Sequence, residues 1–338
     1  MERFLSATYS LSNRTIYKFP QNYIRASFQR DTRIPGALLQ FVQQDNFLLS
    51  FKRGVNDKYL YNDFYKFEYM HEYESHFSYQ MILKKWTQTP AGSLYFINNT
   101  GKINDLTTAE ATLLLRYAPN EKFFQGKIYR RPIPGPNPIF TLDYTKGFKN
   151  IVGGTYDYHN LHGRIDKRTY LSQFGYLDGF VEGGKIFGKV PYPLLTIFRA
   201  NQSYNYDLYS YNLMNFLEFV SDQYVSVNLD QHFVGFFFNK IPLLKALKLR
   251  EVASFKAIYG RLSDRNNPSI HPDLYQFPVS GDGKPITYSL GNTPYLEGSV
   301  GVENIFKFIR VDAVKRFNYL DNPNVAAFGI RVRAKFDF

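Results

Sequence analysis

The 338 residues carry 41 Lys and Arg against 29 Asp and Glu, a formal charge of +12, with mean hydropathy −0.35 and 18% aromatic residues, 28 Tyr and 32 Phe against 1 Trp. No run approaches the ~20 apolar residues of a membrane-spanning helix, since the patches Phe233–Phe238 and Ile241–Leu244 are broken by Asn239, Lys240 and Lys245. The absence of Cys excludes a disulfide scaffold and any thiolate metal site, and Lys and Arg are spread without the basic block of a nucleic-acid tail, which leaves an anionic lipid leaflet, lipopolysaccharide phosphates or a plain solvated surface as the counterpart of the charge.

Alternation with period two then recurs along the chain, which is the signature of strands with one apolar and one polar face. Ile24, Ala26 and Phe28 alternate with Arg25, Ser27 and Gln29. Tyr65, Phe67 and Tyr69 alternate with Lys66 and Glu68, and Phe77, Tyr79 and Met81 with Ser78 and Gln80. Ala111, Leu113 and Leu115 face away from Thr112 and Arg116. Val225, Val227 and Leu229 alternate with Ser226, Asn228 and Asp230, and Ile309, Val311 and Ala313 with Arg310 and Asp312. The last and clearest run sets Phe328, Ile330, Val332, Ala334, Phe336 and Phe338 against Gly329, Arg331, Arg333, Lys335 and Asp337. Counted this way the chain holds about 14 strands, each near the ~9–11 residues of a tilted membrane span. High aromatic content, modest hydropathy and two-faced strands together predict an all-β fold, a transmembrane antiparallel β-barrel occupying residues 1–338 as one domain.

The connections follow the same scheme. If the last strand ends in the periplasm, external connections fall at about 87–106, 147–156, 187–222, 262–294 and 319–326, and periplasmic turns at 73–76, 168–173 and 304–307. The longest excursions are then external, and 262–294 is rich in the Asn, Pro, Ser, Gly and Asp of exposed loops. Three expected periplasmic connections are long: 31–46, 118–137 and 235–250. The start, Met1–Tyr9, shows no apolar signal core. An exported barrel needs one, so Met1 is expected to be an internal or misassigned start with part of the parent protein preceding it.

Several constellations suggest chemistry and fail on spacing. Gly183-x-x-x-x-Gly188-Lys189 resembles a phosphate loop, but position 190 is Val and lacks the magnesium-binding hydroxyl. His71 and His76 are five apart, whereas a zinc helix needs four. Asp222, Ser226 and His232 share a strand face, but His232 would lie about 20 Å from Ser226 and about 33 Å from Asp222 at the usual rise, too far for a proton relay. No catalytic, cofactor or metal residue is therefore assigned, and no enzyme activity is expected. More informative are Arg310, Asp312 and Arg316 on the polar side of one strand and Arg331 and Arg333 on that of the next. Charges inside a barrel must be paired; these form either an ion-pair ladder or a docking site for 187–222, with Glu218 or Asp207 as partner. Phe328, Ile330, Val332, Phe336 and Phe338 form the apolar face of a closing strand of the kind that barrel assembly machinery reads.

The last 120 or so residues resemble the bacterial surface antigen barrels of outer-membrane assembly and two-partner secretion proteins. The carriers are Leu296-Glu-Gly-Ser-Val-Gly-Val-Glu-Asn-Ile-Phe306, Ile309-Arg-Val-Asp-Ala-Val-Lys-Arg316 and Phe328-Gly-Ile-Arg-Val-Arg-Ala-Lys-Phe-Asp-Phe338. Nearly the whole chain also resembles the C-terminal barrel of exported proteins with an N-terminal carboxypeptidase-like regulatory domain, through Tyr17-Lys-Phe-Pro20, Asp45-Asn-Phe-Leu-Leu-Ser-Phe-Lys-Arg-Gly54, Ala91-Gly-Ser-Leu-Tyr-Phe96, Met214-Asn-Phe-Leu-Glu-Phe-Val-Ser-Asp-Gln-Tyr-Val-Ser226 and Phe238-Asn-Lys-Ile-Pro-Leu-Leu244. That resemblance implies an outer-membrane location in a Gram-negative cell, a signal and a small β-sandwich before Met1, and a 16-stranded parent barrel. Assembly barrels of the superfamily carry Val-Arg-Gly-Phe/Tyr in a long inward loop. The corresponding segment here reads Phe198-Arg-Ala-Asn-Gln-Ser-Tyr204 without an Arg-Gly pair. Two roles follow: an aid to assembly or export of envelope components, or a pore, transporter or structural subunit without insertase activity. The expected partners are outer-membrane lipids and lipopolysaccharide, the barrel assembly machinery and other envelope proteins, with no cofactor and no nucleic acid.

Overall fold

A computed structural model describes residues 2–12, 15–36 and 57–334. The chain is all-β, and its main element is one antiparallel sheet of thirteen strands. We number these β1 (Arg3–Ser10), β2 (Asn22–Arg33), β3 (Lys58–Glu72), β4 (Phe77–Gly92), β5 (Leu106–Tyr117), β6 (Ile139–Gly147), β7 (Tyr158–Tyr170), β8 (Tyr176–Phe187), β9 (Gln223–His232), β10 (Arg250–Arg261), β11 (Tyr295–Ile305), β12 (Ile309–Arg316) and β13 (Phe328–Ala334). Each strand pairs with its neighbours in sequence, so the sheet is a continuous meander. Among the described residues no helix is long and apolar enough to cross a membrane.

The two faces of the sheet differ in polarity. On the outer face Tyr65, Met81, Leu113, Leu142, Ile165, Val181, Val225, Phe255 and Val300 are exposed. On the inner face Asn62, Glu68, Glu110, Glu182, Asn228, Asp230, Lys256, Glu297, Arg310 and Asp312 are buried. This inverts the usual arrangement of a water-soluble protein, in which burial selects apolar side chains and buried polar groups need partners.

The sheet is strongly curved. The Ala200 N–H donates to the carbonyl of Gly36, just past β2, and Tyr206 N–H donates to Val332 of β13. Ala200 and Tyr206 are joined by at most about 20 Å of chain. A flat sheet would hold β2 and β13 about 50 Å apart at about 4.8 Å per strand. Among the described residues no hydrogen bonds link β1 to β13.

Among the described residues the sheet has thirteen strands, where about 14 were counted along the whole chain. One departure from the expected scheme concerns β2 and β3. Those strands are direct neighbours, with Arg33 opposite Leu60. β2 therefore ends, and β3 begins, at the same end of the sheet as 93–105, not at the opposite end as expected for 31–46. Residues 37–56 of that stretch lie outside the described residues. The other long excursions fall where the alternation places them, with β8 ending at Phe187, β9 starting at Gln223, β10 ending at Arg261 and β11 starting at Tyr295. At the opposite end the turns 73–76, 171–175 and 306–308 are tight, whereas 118–138 and 233–249 are long. In the β7–β8 turn Gly175 has φ +77°, and a Cβ there would come within 2.0 Å of the His232 carbonyl oxygen, so only glycine fits.

Candidate functional site

The inner face is occupied by residues 188–222, the connection between β8 and β9. Short-range polar bonds shape this segment. Asn201 Oδ1 accepts from the Ser203 N–H at 2.9 Å and its hydroxyl at 2.7 Å, and Asn212 Oδ1 accepts from the Asp207 N–H at 2.9 Å. Asn side chains stabilise turns in this way, without strand or helix ladders. Leu213, Met214, Leu217 and Val220 are then fully buried between the segment and the sheet. Leu60 of β3, Leu106 of β5, Tyr158 of β7 and Ile186 of β8 join Leu217 and Val220 in one apolar cluster.

Charged groups on the strands grip the segment at several points. Arg316 of β12 makes a bidentate pair with Glu218, at 2.6 and 3.0 Å, and both side chains are essentially without solvent exposure. Two more donors go to the carbonyls of Asn318 and Tyr319, so four of the five guanidinium N–H groups are bonded. Glu297 of β11 accepts from the backbone N–H of Asn212 and of Leu213, at 2.8 and 2.9 Å. Arg331 of β13 donates to the Asn212 carbonyl at 2.9 Å. Lys256 of β10 is buried and donates to the carbonyls of Asp207 and Ser210, both at 2.7 Å. At the other side of the segment Arg199 pairs with Glu182 of β8. Tyr204–Tyr206 also bond in parallel to the edge of β13, through Val332 N–H to Tyr204 at 3.0 Å and Tyr206 N–H to Val332 at 2.9 Å. Burial pushes the phenols of Tyr192, Tyr206 and Tyr211 well above the usual tyrosine range.

Beside this clamp lies a ladder whose ion pairs join strands of the sheet, with the Arg310 guanidinium also 4.5 Å from the Tyr206 ring centre of the segment. Arg310 contacts Asp230 of β9 through two bonds of 2.8 Å and Asp312 at 2.7 Å. His232 reaches Asp230 at 3.0 Å and Glu303 at 2.9 Å. Opposite Asp312 stands Gly301, where a Cβ would lie 2.7 Å from Asp312 Oδ1. The missing side chain makes room for the carboxylate.

The structure thus divides the five inner-face charges read from the sequence. Arg310 and Asp312 belong to the ladder, whereas Arg316 and Arg331 hold the segment. Arg333 stands opposite Arg310 in the register. Phe328 and Ile330 are exposed on the outer face and Val332 is half-buried, while Phe336 and Phe338 lie outside the described residues. Asp207 meets Lys256 through its backbone carbonyl, not its carboxylate. Asp222, Ser226 and His232 take separate sets of partners: Ser263 and Asn266 for Asp222, Glu182 for Ser226, and Asp230 with Glu303 for His232. Gly183 lies within β8, and Lys189 pairs with Asp273 at 2.7 Å. Among the described residues no group of three His, Asp or Glu is placed to hold a metal. Chemically the arrangement is a clamp: carboxylates and cations, out of water, fix one segment against the inside of a curved sheet.

Two comparisons give the relatives of this chain. The fold matches BamA from Haemophilus ducreyi, solved without its POTRA domains 1–3, with TM-score 0.57 and 9% identity over 98% of this chain and 62% of that one. At that identity the likeness is one of fold, and this chain spans less than two thirds of the BamA chain. No curated protein matches the sequence. The model of a family of unknown function, the DUF5686 C-terminal domain, matches residues 38–265, and the chain belongs to that family.

Proposed function

We propose that the chain is the membrane-spanning barrel of a Gram-negative outer-membrane protein of the surface-antigen type, the C-terminal part of a longer exported protein with a carboxypeptidase-like regulatory domain. In this reading it assists assembly or export of envelope components. Its outer face meets lipid and lipopolysaccharide, and the barrel assembly machinery inserts it. The single observation that carries the reading is the inverted polarity of the sheet. Exposed Val, Phe, Leu and Tyr on one face are costly in water and favourable in hydrocarbon, whereas the buried charges opposite them are paired. Curvature that brings β2 and β13 to one short stretch of chain supports closure, because an open edge in lipid would leave unpaired N–H and C=O groups. The pinned segment 188–222 weighs against an open pore, since it fills the inner face with side chains packed on or bonded to strands from β3 to β13.

The test is a urea wash of outer membranes from cells carrying the full-length protein, followed by depletion. Retention in the washed membrane and a fall in several other outer-membrane proteins on depletion are expected. Release by urea would remove the membrane reading. Retention with altered permeability only would replace the assembly role by that of a pore or structural subunit.

A further inference from the structure

At the end of the sheet that carries the tight turns, the connections 118–138 and 233–249 are not short. Residues 233–249 link β9 to β10 and include the short helix α1 (Pro242–Ala246), none of whose residues is buried. Leu243 is 68% exposed, and Phe237, Ile241 and Leu247 are exposed as well. The neighbouring β11–β12 turn presents Phe306 at 80% exposure. The stretch carries Lys240, Lys245 and Lys248, all exposed, and no acidic residue; Lys307 is exposed beside Phe306.

This exposure belongs to an ordered structure. The buried carboxylate of Glu251 accepts from the backbone N–H of Gly235 at 2.9 Å and from that of Phe238. Asn304 donates to the Lys248 carbonyl at 2.6 Å, which ties the segment to the β11–β12 turn. Phe236 packs against Phe174 of the β7–β8 turn, with ring centroids 4.5 Å apart and the planes tilted by 43°. The backbone is therefore anchored through its polar groups, and the apolar side chains are displayed. Long connections at the opposite end do the reverse: Leu94, Phe96, Tyr275 and Leu290 are buried in cores. The second long connection at the lysine-rich end, 118–138, repeats the pattern, with Ile128 74% exposed and Lys127 beside it.

We propose that 233–249 and the Phe306 turn form an interfacial collar that lies in the headgroup region of the membrane leaflet at this end, with its apolar residues among the upper acyl chains and its lysines on anionic phosphates. The inference rests on the reading that the sheet spans a membrane. The occupant is argued from two features. The exposed apolar collar continues the exposed outer face of β9–β12, where Val225, Phe255 and Val300 lie. Interleaved cations without carboxylates suit an anionic lipid surface, and aliphatic stems with charged tips reach from apolar depth to phosphate.

The Cys-free chain allows single reporters. Leu243→Cys, Phe306→Cys and Phe255→Cys, each carrying an environment-sensitive fluorophore, are folded into phosphatidylethanolamine–phosphatidylglycerol vesicles. Folding of each variant is checked by heat-modifiable gel migration. Quenching is read with lipids spin-labelled near the headgroup or deep in the chain, and with aqueous iodide. The collar predicts shallow lipid quenching at Leu243 and Phe306, deep quenching at Phe255, and loss of quenching at Leu243 when K240Q, K245Q, K248Q and K307Q are combined. Iodide quenching at Leu243 and Phe306, with Phe255 still in lipid, overturns the collar alone and assigns the surface to a protein partner. Unchanged quenching in the lysine variant overturns the phosphate contact. A folded Phe255 variant without lipid quenching overturns the membrane reading, and the collar with it.

Discussion

Arg316 and Glu218 lie 98 residues apart in sequence, yet they form a bidentate pair with no water around it, and this pair joins the inner segment to β12. A buried pair contributes little net stability compared with apolar residues of the same volume, but removing one partner strands a buried charge. Glu218→Gln or Arg316→Met is therefore expected to cost about 3–5 kcal/mol. The double variant should recover much of that loss. Urea unfolding in vesicles across the four-membered cycle measures it, and protease cleavage within 188–222 should increase in the single variants only.

The Arg310 ladder predicts a different phenotype. Asp230→Asn removes one side of a bidentate contact and also a partner of His232, again at a cost of about 3–5 kcal/mol. Because the ladder's ion pairs join strands of the sheet and it meets the segment only beside Tyr206, the loss should show as easier unfolding of the whole sheet, with a smaller rise in protease access to 188–222 than in the Arg316 and Glu218 variants.

Gly301 offers a steric test. Gly301→Val places atoms against the Asp312 carboxylate and the Val311 carbonyl, 2.6–2.7 Å from the new Cβ. Overpacking of this kind costs about 1–3 kcal/mol. At Gly281 a Cβ would meet nothing within 4 Å, so Gly281→Ala should change little. Thermal melts in detergent distinguish the two.

The tyrosines of the inner segment set an alkaline limit. Tyr192, Tyr206 and Tyr211 have phenols raised by burial, so the folded state holds their protons more tightly than the unfolded chain does. Their contribution is fully present below the unfolded value of about 10 and is lost as pH rises through the folded values. An ultraviolet titration should show a tyrosine fraction that ionises only on unfolding.

Much of this was legible in the sequence because two-faced strands write their period directly. The described part of the last run, Phe328–Ala334, and the polar positions Arg310, Asp312 and Arg316 sit on the faces that alternation assigns. The ends of 187–222 and 262–294 were also readable, since alternation stops there. The β2–β3 connection was misplaced because local sequence says where a strand breaks and not at which end of the sheet the chain turns. The clamp was only half legible. Glu218 could be proposed from charge alone, but Glu297, Lys256 and Arg331 bind backbone N–H and C=O groups, which every residue carries and no sequence pattern marks.

The central claim is that one face of this sheet meets lipid and the other does not, and cysteine scanning of β9 tests it most directly. Single cysteines at Val225, Ser226, Val227 and Asn228, labelled in the membrane-inserted protein, are read by quenching from spin-labelled lipid. The account predicts strong quenching at 225 and 227 and weak quenching at 226 and 228, a period of two. Uniform accessibility to aqueous reagent, or quenching that ignores the alternation, would contradict it and make the exposed apolar face that of a soluble β-protein covered by some other surface.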